Sequence, residues 1–122
     1  MATILVIEDD HDMRELERAA LCHSGYEVIT ATNGRDGLQR LAEVHPCLIL
    51  LDLMMPVMDG LAFLEARQRD GIAVDVPVYC VSAGGQEMLN EARSRGATAC
   101  IAKPVDLDQL CDLVAQVCGG QS

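Results

Sequence analysis

The chain has 122 residues, half of them apolar, with 19 acidic against 9 basic side chains and a formal charge of −10. This length suits one compact domain with a real core. The charge argues against a phosphate-tracking nucleic-acid face and against docking on anionic membranes. Phe63, Tyr26 and Tyr79 are the only aromatic residues, so the core must be aliphatic. No apolar run is long enough to span a bilayer. The N-terminus lacks a basic segment leading into an apolar one, so no secretory signal is visible.

Residues 3–7 form an apolar, β-branched run ending at Glu8, Asp9 and Asp10, and predict a first strand. Over 12–24, Met13, Leu16, Ala20 and Leu21 recur at helical spacing, and Gly25 stops this helix. A second strand follows over 26–30. Asn33 suits the cap of a second helix, which carries Leu38, Leu41 and Ala42 and ends before Pro46. Residues 47–51 are an unbroken uncharged run between Pro46 and Pro56, as in a parallel strand buried on both faces. Asp52 then sits where that strand leaves the core, and a carboxylate there has lost part of its water. Taken alone, its plainest role is to cap the following loop.

Asp59 can cap a third helix that buries Leu61 and Leu64. Residues 77–81 predict a fourth strand, ending at Ser82. A fourth helix over 86–94 turns Met88, Leu89 and Ala92 inward, and Gly96 terminates it. A fifth strand over 98–102 ends at Lys103-Pro104. Asp106 and Gln109 have capping-box spacing. The fifth helix shows Leu107, Leu110, Cys111, Val114, Val117 and Cys118 as one core stripe, with 119–122 as a soluble tail. The six cysteines form no CxxC pair, and no histidine stands at zinc-finger spacing. Reduced, buried thiols are therefore expected, not disulfides or zinc. For Glu15, Glu17, Arg18, Arg67 and Arg69 the expectation is a solvated helix face. His11, His23 and His45 lack partners at catalytic spacing.

Five strands alternating with five helices imply an α/β fold, a doubly wound parallel sheet with helices on both faces and a single domain over 1–122. All carboxyl ends of such a sheet share one rim, where ligands bind. The strand ends collect Glu8 and Asp9, Asp52, Ser82 and Lys103, the chain's only lysine, on that rim. Three nearby carboxylates repel one another, which a hard divalent cation relieves. Lys103 offers a point charge for a phosphoryl oxygen, and Ser82 a hydroxyl donor. Asp52 is a candidate nucleophile toward phosphorus.

The chain resembles the receiver domain of two-component response regulators over nearly its whole length. The residues that carry the resemblance are ILVIEDD at 4–10, LLDLMMPVMDG at 50–60, VSA at 81–83 and AKP at 102–104. The resemblance implies a flavodoxin-like sheet in the order 2-1-3-4-5. It implies Asp52 as phosphoacceptor, with Glu8, Asp9, Asp52 and the Met54 backbone carbonyl holding Mg²⁺, for which Mn²⁺ can substitute. Ser82 and Lys103 would contact the phosphoryl group, and Pro104 would follow a cis bond. A histidine kinase or histidine phosphotransfer protein would be the donor. A downstream protein or output domain would read the face of the fourth helix, fifth strand and fifth helix. The domain would be cytoplasmic, bind neither nucleic acid nor membrane, and assist only its own phosphorylation and dephosphorylation.

Two departures stand out. The family usually has an aromatic residue three before the lysine, where this chain has Cys100. Gly37 stands where the family often has alanine, a change that weakens the second helix by up to about 1 kcal/mol. A haloacid-dehalogenase-type phosphatase would need a second aspartate where Met54 stands. A degenerate receiver that binds partners without phosphorylation is the alternative, against which all five site positions carry competent chemistry.

Overall fold

The computed structural model describes residues 2–119. In chain order the elements are β1 (Thr3–Ile7), α1 (His11–His23), β2 (Glu27–Ala31), α2 (Gly34–Leu41), β3 (Leu48–Asp52), α3 (Gly60–Asp70), β4 (Val78–Ser82), α4 (Gln86–Ser94), β5 (Ala99–Ala102) and α5 (Leu107–Cys118). The five strands make one parallel sheet in the order β2-β1-β3-β4-β5, as the resemblance implied.

The apolar strand runs work because alternate residues serve opposite faces. Leu5, Ile7, Ile49, Leu51, Val78 and Cys80 pack with Phe63 and Leu64 of α3 and Ala92 of α4. Ile4, Val6, Leu48 and Leu50 pack with Leu21 of α1 and Leu110 and Val114 of α5. Each fully buried Leu or Ile contributes roughly 1.5–3 kcal/mol over exposure, so β3, buried throughout, is held from both sides. The α5 stripe packs as its spacing predicts.

Polar residues set the helix starts. Asp10, Asn33, Asp59 and Asp106 cap α1, α2, α3 and α5, each accepting from backbone N–H groups in the first turn. The cap at Asp10 starts α1 at His11, one residue ahead of the expected 12–24 span. Helix α4 has Gly85 at its N-cap and so no side-chain cap.

Three expectations fail. Cys47 and Cys118 form a disulfide, with Cα atoms 5.8 Å apart across 71 residues of sequence. The parallel sheet lays the start of β3 beside the end of α5, a proximity that cysteine spacing does not encode. Of the other four cysteines, Cys80 is buried, Cys100 and Cys111 are half-buried, and Cys22 is exposed. Second, α1 turns Glu17 inward and leaves Leu16 54% exposed. The inner line runs Met13, Glu17, Leu21 at four-residue steps, and Leu16 lies beside it. Third, Arg67 is buried rather than solvated, because its guanidinium donates to the carbonyls of Ala73 (2.9 Å) and Val76 (2.6 Å).

Candidate functional site

The rim residues come from the ends of four neighbouring strands, β1, β3, β4 and β5, and the loops that leave them. Glu8 follows β1, with its backbone N–H bonded to the Ala31 carbonyl (3.0 Å), and Asp52 closes β3. Lys103 follows β5, with its N–H on the Ser82 carbonyl (3.0 Å), and the Lys103–Pro104 bond is cis. Carboxylate oxygens of Glu8, Asp9 and Asp52 lie within 4.8 Å of one another. The Lys103 ammonium stands 3.4 Å from Asp52 Oδ2 and 3.8 Å from Glu8 Oε1. Glu8 and Asp52 are almost fully buried, Asp9 is exposed, and the Lys103 side chain is 26% exposed, so the site opens to solvent on one side.

Local hydrogen bonds hold these groups in place. Asp52 Oδ1 accepts from the Met54 N–H at 3.2 Å, which fixes the carboxylate against the loop after β3. Glu8 Oε2 accepts from the Asp10 N–H at 3.2 Å. Arg14 of α1 donates to the Glu8 carbonyl (3.0 Å) and the Asp9 carbonyl (3.4 Å), bracing the turn that carries the acidic pair. Ser82 is buried at the end of β4, one residue past Val81, the register partner of Asp52; its Oγ accepts from the Gly84 N–H at 2.9 Å and approaches Met88 Sδ at 3.6 Å. Cys100 sits opposite Cys80 on β5, with its thiol 3.8 Å from the Leu89 carbonyl of α4.

The electrostatics are those of a site short of positive charge. Burial, then the hydrogen bond and charge of Asp52, push the Glu8 carboxyl up to about 8, against the pull of the Asp10 N–H and Lys103. Burial alone would lower the Lys103 ammonium, but the Asp52 and Glu8 charges outweigh it and hold it above its ordinary value. Three carboxylates against one ammonium leave net negative charge in a largely dehydrated space. All three are hard oxygen donors, the set a Mg²⁺-sized cation takes.

Sequence reasoning overlooked Glu17. Its side chain is 2% exposed, and its Oε2 has no hydrogen-bond partner. Burial pushes its carboxyl up to about 7, with Lys103 pulling it down and Asp52 pushing it up, so it lies within the field of the rim. The four-residue step from Met13 to Leu21 would have shown it pointing inward.

The fold and this rim define a receiver: the chain belongs to the response regulator receiver domain family, whose model matches residues 4–115. It is 36% identical to the regulatory protein AtoC of Escherichia coli over 115 residues, which are 93% of this chain and 24% of that one. It is 32% identical to sporulation initiation phosphotransferase F of Bacillus subtilis over 91% of this chain and 89% of that one. The chemotaxis response regulator CheY4 of Vibrio cholerae superposes with a TM-score of 0.88 at 29% identity, covering 96% of this chain and 98% of that one. The chain spans less than half the length of several of the curated relatives it matches. It is a signalling domain of two-component systems. Among the described residues no helix is long and apolar enough to cross a membrane.

Proposed function

We propose that Asp52 is the phosphoacceptor and that it takes a phosphoryl group from a phosphohistidine of a sensor kinase or phosphotransfer protein in the cytoplasm. The observation that carries this reading is the meeting of Asp52 with Glu8, Asp9 and Lys103 at one rim, with Lys103 Nζ 3.4 Å from Asp52 Oδ2. Glu8, Asp9, Asp52 and the Met54 carbonyl would hold Mg²⁺, which supplies the positive charge that lets a phosphoryl group approach a carboxylate. Asp52 presents its oxygen to phosphorus, with Oδ1 steadied by the Met54 N–H. Lys103 stabilises the negative charge on the phosphoryl oxygens. Ser82 leaves Met88 Sδ and donates its hydroxyl to one of those oxygens.

That movement starts the switch. Ser82 touches Met88 of α4, so its departure loosens a helix that has no side-chain cap. Cys100 is too small to fill the vacated space as a ring does. Residues 83–86 therefore carry more of the rearrangement, and strand β5 less, on a face of α4, β5 and α5 that a downstream protein or output domain reads. The domain assists only its own phosphorylation and dephosphorylation.

Acetyl phosphate with Mg²⁺ should add about 80 Da, the mass of one phosphoryl group, to the protein and nothing to Asp52→Asn. The adduct should be released by hydroxylamine, as an acyl phosphate is. A base-stable label on Ser82, or no adduct at all, would reject the assignment.

A further inference from the structure

The end of the sheet opposite the rim carries chemistry that phosphoryl transfer does not use. Cys47 immediately precedes β3, and Cys118 is the last residue of α5. The disulfide between them closes a loop that contains Asp52, Ser82 and Lys103 together with all of α3, β4, α4 and β5. Its two residues differ in exposure. Cys118 is 8% exposed and packs into the α1–α5 core beside Leu48 and Tyr26, whereas Cys47 is half-buried. Cys47 also lines a cavity of about 310 Å³ with Ala2, Thr3, Pro46 and Val76, framed by the His45–Asp75 pair at 3.2 Å. Cys47 is therefore the more exposed residue of the pair and the one that borders open space.

We propose that Cys47 and Cys118 form a thiol–disulfide exchange site, through which a low-molecular-weight thiol of the glutathione class sets how firmly the last turn of α5 is held to the sheet. The incoming thiolate attacks Sγ of Cys47 from the cavity, forms a mixed disulfide there, and expels Cys118 as a thiolate, which takes up a proton. A second thiolate attacks the sulfur of the small molecule in that mixed disulfide. The small disulfide departs, and Cys47 leaves as a thiolate and is protonated. Two small thiols are oxidised and one protein disulfide is reduced, so two electrons and two protons move. The oxidised small molecule drives the reverse reaction.

The consequence falls on α5. Its first turn is capped by Asp106, which accepts from the Asp108 and Gln109 N–H groups. Its last turn has no basic residue, and its C-cap is Gly119. With the covalent tie gone, only apolar packing, of Val114, Val117 and Cys118, holds that end to the core. Reduction therefore frees the end of α5 and leaves the capped end in place.

The test is a titration of the folded, intact chain across glutathione ratios, without phosphodonor, so that it stands apart from the Asp52 assignment. Intact mass and peptide mapping after alkylation follow the cysteines, and amide exchange follows the helix. The expected result is a reversible gain of about 2 Da on reduction, matching two hydrogens, with new label confined to Cys47 and Cys118. Amides of 114–118 should then exchange at least ~10-fold faster, while those of the first turn of α5 change less than ~2-fold. Cys47→Ser should show the fast exchange in every buffer, and the reduced wild type supplies the same comparison if that variant folds poorly. The proposal is overturned if the pair stays in one redox state across the titration, if label appears on other cysteines instead, or if α5 exchange is the same in both states.

Discussion

Two charged side chains are buried on opposite sides of the sheet, and they are buried on different terms. Arg67 of α3 lies in the layer of α2, α3 and α4, and one end of its guanidinium donates to two backbone carbonyls while its Nε has no partner. Glu17 of α1 lies in the other layer, with one carboxylate oxygen unpartnered. The carbonyls Arg67 holds belong to the turn between α3 and β4, where Ala73 has φ +48, a backbone conformation that an L side chain disfavours. Arg67 is thus a clamp on an irregular segment. Glu17 clamps nothing; it shares the field of Lys103 and Asp52. Arg67 offsets part of its burial by holding a turn, whereas burial itself keeps the Glu17 carboxyl above its ordinary value.

The largest effect should come from the clamp. Arg67→Met keeps much of the apolar stem but leaves the Ala73 and Val76 carbonyls without their donor. The expected loss is about 3 kcal/mol of unfolding free energy, the cost of stranding buried acceptors of a charged group. Burial lowers the Arg67 pKa, but an arginine starts so high that the loss should be the same at pH 5 and pH 8. Urea denaturation at the two pH values measures this. A loss under about 0.5 kcal/mol, the range of ordinary surface substitutions, would mean that the turn holds itself.

Glu17 should behave in the opposite way. Its folded-state carboxyl is pushed up to about 7 from an ordinary value of 4.5. Between those values the folded protein keeps a proton that the unfolded chain releases. The stability this gives is fully present below pH 4.5 and is lost as pH rises through 7. Glu17→Leu removes the titration, so its advantage over the wild type should grow from near zero at pH 5 to about 2 kcal/mol at pH 8.5. Glu8 titrates over an overlapping range, but it is present in both proteins and cancels in the difference. An advantage that does not change with pH would show that the substitution gains only by apolar packing and that burial does not hold a proton on Glu17.

These two residues also mark where sequence reading stops. The rim was legible because a parallel sheet brings the carboxyl ends of its strands to one edge, so that Glu8, Asp9, Asp52, Ser82 and Lys103 could be assembled from element boundaries, whereas the strand order came from the family resemblance. Helix faces were less legible. Counting apolar residues on α1 admitted Leu16 to the inner face, although the stripe through Met13 and Leu21 passes through Glu17. Arg67 was unreadable for another reason, since its partners lie in an irregular turn that no periodicity describes. The Cys47–Cys118 pair depends on the packing of α5 against the base of β3, a tertiary contact between residues far apart in sequence.

Gly37 gives the smallest expected effect and tests how closely the Arg67 side of the sheet is packed. By helix propensity alone, alanine in α2 should stabilise the protein by up to about 1 kcal/mol. The structure opposes that gain. A Cβ at this position would lie 2.5 Å from Ile7 Cδ1, 3.1 Å from Ile7 Cγ1 and 3.3 Å from the Phe63 ring. Ile7 is 1% exposed and Phe63 fully buried, so neither side chain has free space into which to retreat. Moving α2 outward instead would open gaps along Ile29, Leu38 and Leu41, which pack against the same core. Overpacking of this kind costs typically 1–3 kcal/mol, so the balance for Gly37→Ala should be a net loss of about 1 kcal/mol. Ile7→Val, which removes the nearest methyl group, should cost about 1 kcal/mol by itself but make Gly37→Ala neutral or favourable in the double variant. If Gly37→Ala stabilises the wild-type background, this layer yields more readily than its distances imply, and the glycine is simply a weak helix residue.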